Sequence, residues 1–323
     1  MRIGIDPLID CAFKKLFGST ENKNLSIELI NAILQEGGEK TVVDIEILNS
    51  YNPKNFIGDK LSIVDIKAKN EQGEWFIIEV QIQMMEYFPQ RILYYWAKTY
   101  QAQLQSGERY SLLKKVTLIS ICKNSLPTNT ENYYNHFRIL DTKNHIPLCD
   151  HLSIHTIELT KFLNTEKEIS KPIEKWSFFL KHGENLDCEK LPPQLSISYI
   201  RQAAKELKMF TQNEIERELY NSRHIAILDK VSSLAEKYEK GREAGLQEGI
   251  EKGREVGLQE GIEKGIEKGI EKGIEKGREV GLQEGIQAIA VEMIQDGMEI
   301  TQISRLTKLS PQEISHLKKQ LGQ

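Results

Sequence analysis

Two short apolar segments joined by an odd-length loop constrain this chain most. KLSIVDIKA (60–68) and WFIIEVQI (75–82) are rich in β-branched residues. Between them lies NEQGE (70–74), a turn sequence whose Gly73 tolerates positive φ. The pair reads as an antiparallel hairpin. Residues two apart on a strand share a face, so Glu79 and Gln81 point one way and Ile78, Val80 and Ile82 the other. On the first strand Asp65 and Lys67 share a face against Val64, Ile66 and Ala68. A five-residue loop pairs Lys69 with Trp75, which sets Asp65 opposite Glu79 with Cβ atoms ~5 Å apart. Like carboxylates at that spacing are unfavourable without a cation between them. Mg2+, which takes one or two carboxylates plus phosphate oxygens, suits the pair. Gln81 sits beside such an ion and could orient a water, but an amide cannot offset phosphate charge as a lysine does. Lys67 is the candidate for that charge. The competing reading is an ordinary amphipathic hairpin with solvated polar residues; the dense apolar flanks favour a buried strand, where charges seldom sit unpaired.

The rest of the N-terminal part predicts an α/β fold. Helices are expected over 10–17 and 24–35, with Ile27, Ile30, Ala32, Ile33 and Leu34 as apolar positions of the second. A long aromatic-bearing helix is expected over 89–105, with Pro89 in its first turn. KVTLISIC (115–122) reads as a strand buried on both faces, and 137–140 and 152–159 as further strands. Residues 170–240 read mainly as helix. Four cysteines at 11, 122, 149 and 188 show no paired spacing and fit a reducing cytoplasm. No apolar run approaches the ~20 residues of a membrane helix, and the N-terminus lacks a signal-peptide pattern. A cytoplasmic protein without membrane contact is expected. His145, Cys149, His151 and His155 invite a zinc reading, but a strand and an irregular turn are poor geometry for four ligands.

Four stretches carry a family resemblance: DCAFKKLFGSTENKNLSIELINAIL (10–34), GDKLSIVDIKAKNEQGEWFIIEVQIQ (58–83), FPQRILYYWAKTYQAQLQSGERY (88–110) and HLSIHTIELTKF (151–162). In order, spacing and dipeptides the first ~165 residues resemble the recombination-promoting nucleases, also described as transposases of the PD-(D/E)xK type. The resemblance implies a restriction-endonuclease-like PD-(D/E)xK core with a mainly helical C-terminal half. It implies Asp65, Glu79 and Gln81 as catalytic residues, with Asp65 and Glu79 holding Mg2+ or another divalent cation. Glutamine in place of the superfamily lysine is this family's usual form. Asp10 and Lys14 lie in the family's N-terminal motif and support the site or the substrate. Double-stranded DNA is the implied partner, with cleavage linked to DNA exchange between cells or phage defence, and no small-molecule organic cofactor is expected. Arg91, Tyr94 and Tyr95 read either as a phosphate clamp with aromatic support or as helix packing, with Tyr94 in the core and Arg91 solvated. The alternative function is a catalytically inactive DNA-binding or protein-interaction remnant of a mobile element.

The net charge of −4 gives no general attraction to nucleic acid. From Gly241 to Gly285 every fourth residue is glycine, and this stretch holds eight basic against eleven acidic residues, so the repeat itself does not grip DNA. It comprises four 12-residue units over 241–288. Four residues turn a helix ~400°, so an apolar row drifts ~40° per repeat and no fixed buried face results. Each glycine costs ~1 kcal/mol against alanine in a helix. The favoured reading is a soft helical spacer, the alternative a glycine-lined self-association helix, with homodimerisation the corresponding partner expectation. In the tail, Ser310, Pro311 and Glu313 form a capping box before a last helix. With Arg305, Lys308, His316, Lys318 and Lys319, this tail reads as a helix-turn-helix or as a packing element. The expected organisation is a nuclease core (1–165), a helical extension (166–240), the repeat (241–288) and a small helical tail (289–323).

Overall fold

A computed structural model describes residues 2–48, 51–52, 62–83, 86–127 and 130–322. In chain order the elements are α1 (Asp10–Phe17), α2 (Lys23–Glu36), β1 (Ile45–Leu48), β2 (Tyr51–Asn52), β3 (Ser62–Ile63), β4 (Ile66–Asn70), β5 (Trp75–Gln81), α3 (Phe88–Gln101), β6 (Val116–Cys122), β7 (Tyr134–Phe137), β8 (Leu152–Glu158), α4 (Pro172–His182), α5 (Ser198–Gln212), α6 (Glu214–Gln295), α7 (Ile300–Thr307) and α8 (Pro311–Gln320). The chain divides into two compact units, Met1–Val231 and Ser232–Gln323, with the boundary inside α6.

In the first unit a mixed six-stranded sheet runs β1-β4-β5-β6-β8-β7. The β5-β6 and β6-β8 pairs are parallel, and the other three are antiparallel. β6 and β8 are buried at every position, as expected for strands covered on both faces. One core holds Ile66, Ala68, Ile78, Ile119, Ile121 and Ile157 against the apolar sides of α1, α2, α4 and α5. A smaller one on the other face joins Ile77, Val116, Leu118 and Ile154 to Phe88 and Ile92 of α3. Period-two alternation along each strand produces this division.

The hairpin register is the expected one: Lys69 pairs with Trp75, and Gly73 takes φ +82°. The strand over 60–68 is corrected, residues 60 and 61 lying outside the described residues. β4 begins at Ile66, β3 pairs with β2 in a separate two-stranded sheet, and Asp65 sits at a bend between them. The cause is local. The Asp65 carboxylate accepts the Val80 N–H at 2.7 Å, so a side chain takes a donor on the partner strand and the backbone ladder ends at Ile66–Ile78. The strand expected at 137–140 lies at 134–137. α3 ends at Gln101, short of 105, because the Gln103 amide pairs with both the N–H and the C=O of Lys114 and ties the chain there.

Glu174, in the first turn of α4, accepts hydrogen bonds from the Ser170 N–H (2.8 Å), the Lys171 N–H (2.9 Å) and the Ser170 hydroxyl (3.2 Å). Burial pulls its pKa up, but the donors on Lys171 and Ser170 outweigh it and the value is lowered. Glu174→Ala should therefore cost about 1–3 kcal/mol, read from the urea midpoint. A depressed folded pKa means the contribution is present above the ordinary carboxylate range and lost as pH falls below it. The wild-type advantage should accordingly shrink in acid, and a constant difference across pH would contradict this account.

In the second unit the repeat is helical throughout, within α6. Glu–Lys pairs at i,i+4 flank its rows, as at Glu248–Lys252 and Glu260–Lys264. Its twelve glycines meet nothing within 4 Å where a Cβ would stand, so no packing among the described residues calls for them. Ala290, Ile294, Ile303 and Ile314 form a small core of α6, α7 and α8. The capping box is present: Ser310 Oγ accepts the Glu313 N–H, and the Glu313 carboxylate accepts the Ser310 N–H at 2.8 Å. Lys308, between α7 and α8, takes φ +62°.

Candidate active site

The end of β5 presents Glu79 and Gln81 on one face, two residues apart. Arg91, one turn into α3, donates from Nη2 to Glu79 Oε1 at 2.7 Å and to Gln81 Oε1 at 2.6 Å. The guanidinium lies 4.9 Å from the Phe88 ring centroid and 5.6 Å from that of Tyr95. Gln81 also donates its amide to the Gln83 carbonyl. From the other side α1 contributes a polar edge. Ala12, Phe13, Leu16 and Phe17 are buried, which leaves Asp10 and Lys14, one turn apart, facing outward. Lys14 Nζ lies 2.6 Å from Asp10 and 4.0 Å from Asp65 Oδ1.

The electrostatics are unfavourable as they stand. The Glu79 side chain is 7% exposed, and its Oε2 is buried and accepts no hydrogen bond from the described residues. Burial, then the neighbouring Asp65 carboxylate, push the Glu79 pKa up against the pull of Arg91. Burial likewise raises Asp65, against its bond from Val80 and the Lys14 charge. Lys14 goes up too, since the Asp10 carboxylate outweighs the cost of burying the ammonium. A buried and a half-buried carboxylate held above their ordinary range, the first with an unused oxygen, form a donor set that fits a hard divalent cation.

The structure thus brings together Asp10, Lys14, Asp65, Glu79, Gln81 and Arg91. It places Lys67 elsewhere: its Nζ lies 4.7 Å from the Trp75 ring, and Trp75 opens β5 while Gln81 closes it. The cation beside Gln81 is Arg91. Tyr94 and Arg91 reverse the packing reading of α3: Tyr94 is 42% exposed, whereas Arg91 is turned onto the carboxylate and Tyr95 lies beneath it. Burial and the nearby Glu79 carboxylate raise the Tyr95 pKa.

His145, Cys149, His151 and His155 do not converge. Cys149 and His145 are exposed, and His151 Nδ1 meets the Tyr100 hydroxyl at 2.9 Å. His155 faces the opposite side of the sheet from Glu79, among Glu39 and His136. Sequence reasoning missed those two partners. With the seventh strand placed three residues late, the direct pairing of His136 with His155 was hidden.

A family profile described as PD-(D/E)XK nuclease family transposase matches residues 7–237. The chain belongs to this family. A second profile, the C-terminal HTH domain of the Rpn/YhgA-like nuclease family, matches residues 283–319, which span the end of α6 together with α7 and α8. No curated protein and no solved structure gives a significant match. The first match covers all of the sheet and α1 to α5 and so places the six-stranded α/β unit in the PD-(D/E)XK class. The second makes the helical tail of this transposase-family nuclease a helix-turn-helix, so a nuclease-like fold and a DNA-binding module occur on one chain. No helix among the described residues is long and apolar enough to cross a membrane.

Proposed function

We propose that the chain is a divalent-metal-dependent DNA endonuclease that hydrolyses phosphodiester bonds of double-stranded DNA, with Asp65 and Glu79 holding Mg2+ and Gln81 beside it. The observation that carries this reading is the buried Glu79 carboxylate beside the half-buried Asp65, with Glu79 Oε2 lacking a hydrogen-bond partner among the described residues. A bound divalent ion supplies charge neutralisation at the scissile phosphate and acidifies water. The chain's own residues do the rest. The Val80 N–H fixes one oxygen of Asp65, and the Asp10–Lys14 pair borders its other side. Gln81 orients water through its amide. Arg91 holds the Glu79 and Gln81 oxygens, and its planar fork would suit a phosphate oxygen beside the ion that Asp65 and Glu79 would hold. The helix-turn-helix tail binds duplex DNA and raises the local concentration of substrate at the site. The implied setting is DNA recombination or defence against phage.

The direct test is the full-length protein on supercoiled plasmid, with Mg2+ or with EDTA. Nicked and linear products should form only with the ion. Retardation of DNA without cleavage under any divalent ion would leave the inactive DNA-binding remnant, which the helix-turn-helix match also accommodates. The repeat serves this reading as a spacer. Deleting residues 253–264, one 12-residue unit, should leave cleavage within a few-fold of wild type and change at most self-association. Abolished cleavage by a still-folded nuclease unit would make the repeat part of the active assembly.

A further inference from the structure

The strongest feature outside the active site is a cluster of the buried His155 with the partly buried Glu39 and His136 on the α2 side of the sheet. α2 closes at Gly37 and Gly38, the latter at φ +69°, and the turn brings Glu39 over β7 and β8. His136 and His155 are direct cross-strand partners. Glu39 Oε1 lies 3.5 Å from His136 Nε2, and Oε2 lies 3.6 Å from His155 Nε2. Ser153 Oγ lies 2.9 Å from both Nε2 atoms and 3.0 Å from Glu39 Oε1. One ligand atom from each of Glu39, His136 and His155 falls within 4.8 Å of the other two. With metal–ligand bonds of ~2.0–2.2 Å, tetrahedral geometry sets ligand atoms ~3.3–3.6 Å apart, so the Oε2–His155 separation already matches, while His136 must turn to bring its Nε2 to the same oxygen.

Two further observations point inward. Glu39 Oε2 is buried, and His155 Nε2, 3.6 Å away, lies beyond ordinary hydrogen-bond distance of it. Gly37 leaves room that a Cβ would take, 2.8 Å from the Tyr134 hydroxyl and 2.9 Å from His155 Cε1.

We propose that Glu39, His136 and His155 form a second divalent-cation site, of the imidazole-rich kind that takes zinc, which pins the edge strand β7 to the end of α2. Two imidazoles with one carboxylate favour zinc over Mg2+, which wants oxygen. A proton on His155 Nδ1, donated in a hydrogen bond to the Tyr134 hydroxyl 2.9 Å away, would leave Nε2 its lone pair for the metal. Lys115, 2.8 Å from Glu39 Oε1, stays on that oxygen while Oε2 turns to the ion. The two imidazoles stack at 13° and 4.2 Å, and an imidazole binds in its ring plane, so one ring must turn. His136, on the terminal strand and 15% exposed, turns about its Cβ–Cγ bond, while His155 is fully buried. The site is independent of the nuclease centre. Glu79 aligns through Ser120 with Thr156, and His155 therefore projects from the opposite face.

The test uses untagged full-length protein stripped with EDTA and titrated with Co2+ as a visible stand-in for Zn2+, in excess Mg2+ to fill the carboxylate pair. One Co2+ per chain should bind with the intense visible bands of a four-coordinate site, and Zn2+ should displace it and raise the melting temperature. His136→Gln and Glu39→Gln should weaken binding by more than the ~10–100-fold of an outer-shell change. Asp65→Asn and Glu79→Gln should leave it intact. Absence of tight stoichiometric Co2+ binding by the wild type overturns the proposal, whether or not the variants fold. So does retention of that binding by a folded His136→Gln protein, which would place the ion elsewhere.

Discussion

Asp65→Asn and Glu79→Gln should each abolish almost all Mg2+-dependent plasmid cleavage, and each should make the metal-free protein more stable above neutral pH. The first effect follows from charge. Removing one carboxylate from a two-carboxylate ion site forfeits several kcal/mol of transition-state stabilisation, and ~4 kcal/mol is a factor of ~10^3 in rate. The second follows from burial. Both groups have folded pKa values raised above the ordinary range, Glu79 by burial and by Asp65, Asp65 chiefly by burial. The folded state therefore holds protons that the unfolded chain has released. Stability is greatest below the ordinary carboxylate pKa and falls as pH rises towards the folded value. A neutral amide escapes that loss, and at position 79 it still offers Arg91 an acceptor, as Gln81 does now. Melting temperatures of the EDTA-treated proteins from pH 5 to pH 9 read the difference, which should open as pH rises. Mg2+ should raise the wild-type melting temperature at pH 8 and leave the variants nearly unmoved. Full cleavage by either variant would move the chemistry elsewhere. Variants weaker than wild type at every pH would mean that the carboxylates hold the fold together.

Trp176→Ala should destabilise the first unit by about 3–5 kcal/mol, the range for deleting a large buried aromatic. Trp176 is 1% exposed. Its ring packs 5.3 Å from Phe17 of α1, 6.0 Å from Phe179 and 5.3 Å from Tyr199 of α5, measured between centroids. The side of α1 that it supports is the back of the helix that carries Asp10 and Lys14. Loss of the indole should thus lower the denaturation midpoint and the temperature at which cleavage survives, while cleavage at low temperature persists. A change below ~1 kcal/mol, the effect of many surface substitutions, would show that the helices after residue 165 fold apart from the sheet.

The hairpin was legible because its information is local. Strand period, loop length and Gly73 fix the register, and the Lys69–Trp75 pairing follows from counting alone. The helix over 10–17, the buried strand at 116–122 and the Ser310 capping box are equally local, set by periodicity and by residues three apart. The motif sequence likewise carried the family, which the profile match shows. What sequence could not give depends on contacts between distant segments. Asp65 leaves its strand because of a donor fifteen residues away, and propensity has no term for that bond. Lys67 and Arg91 look interchangeable as nearby cations in sequence. Only the packing of α3 on the sheet turns Arg91 onto Glu79 and Gln81 and leaves Lys67 over Trp75. Glu39 meets His155 across more than a hundred residues, after two glycines redirect the chain. Periodicity is a property of neighbours along the chain, whereas a cluster of charges is a property of how faces meet, and that meeting is decided by the tertiary fold.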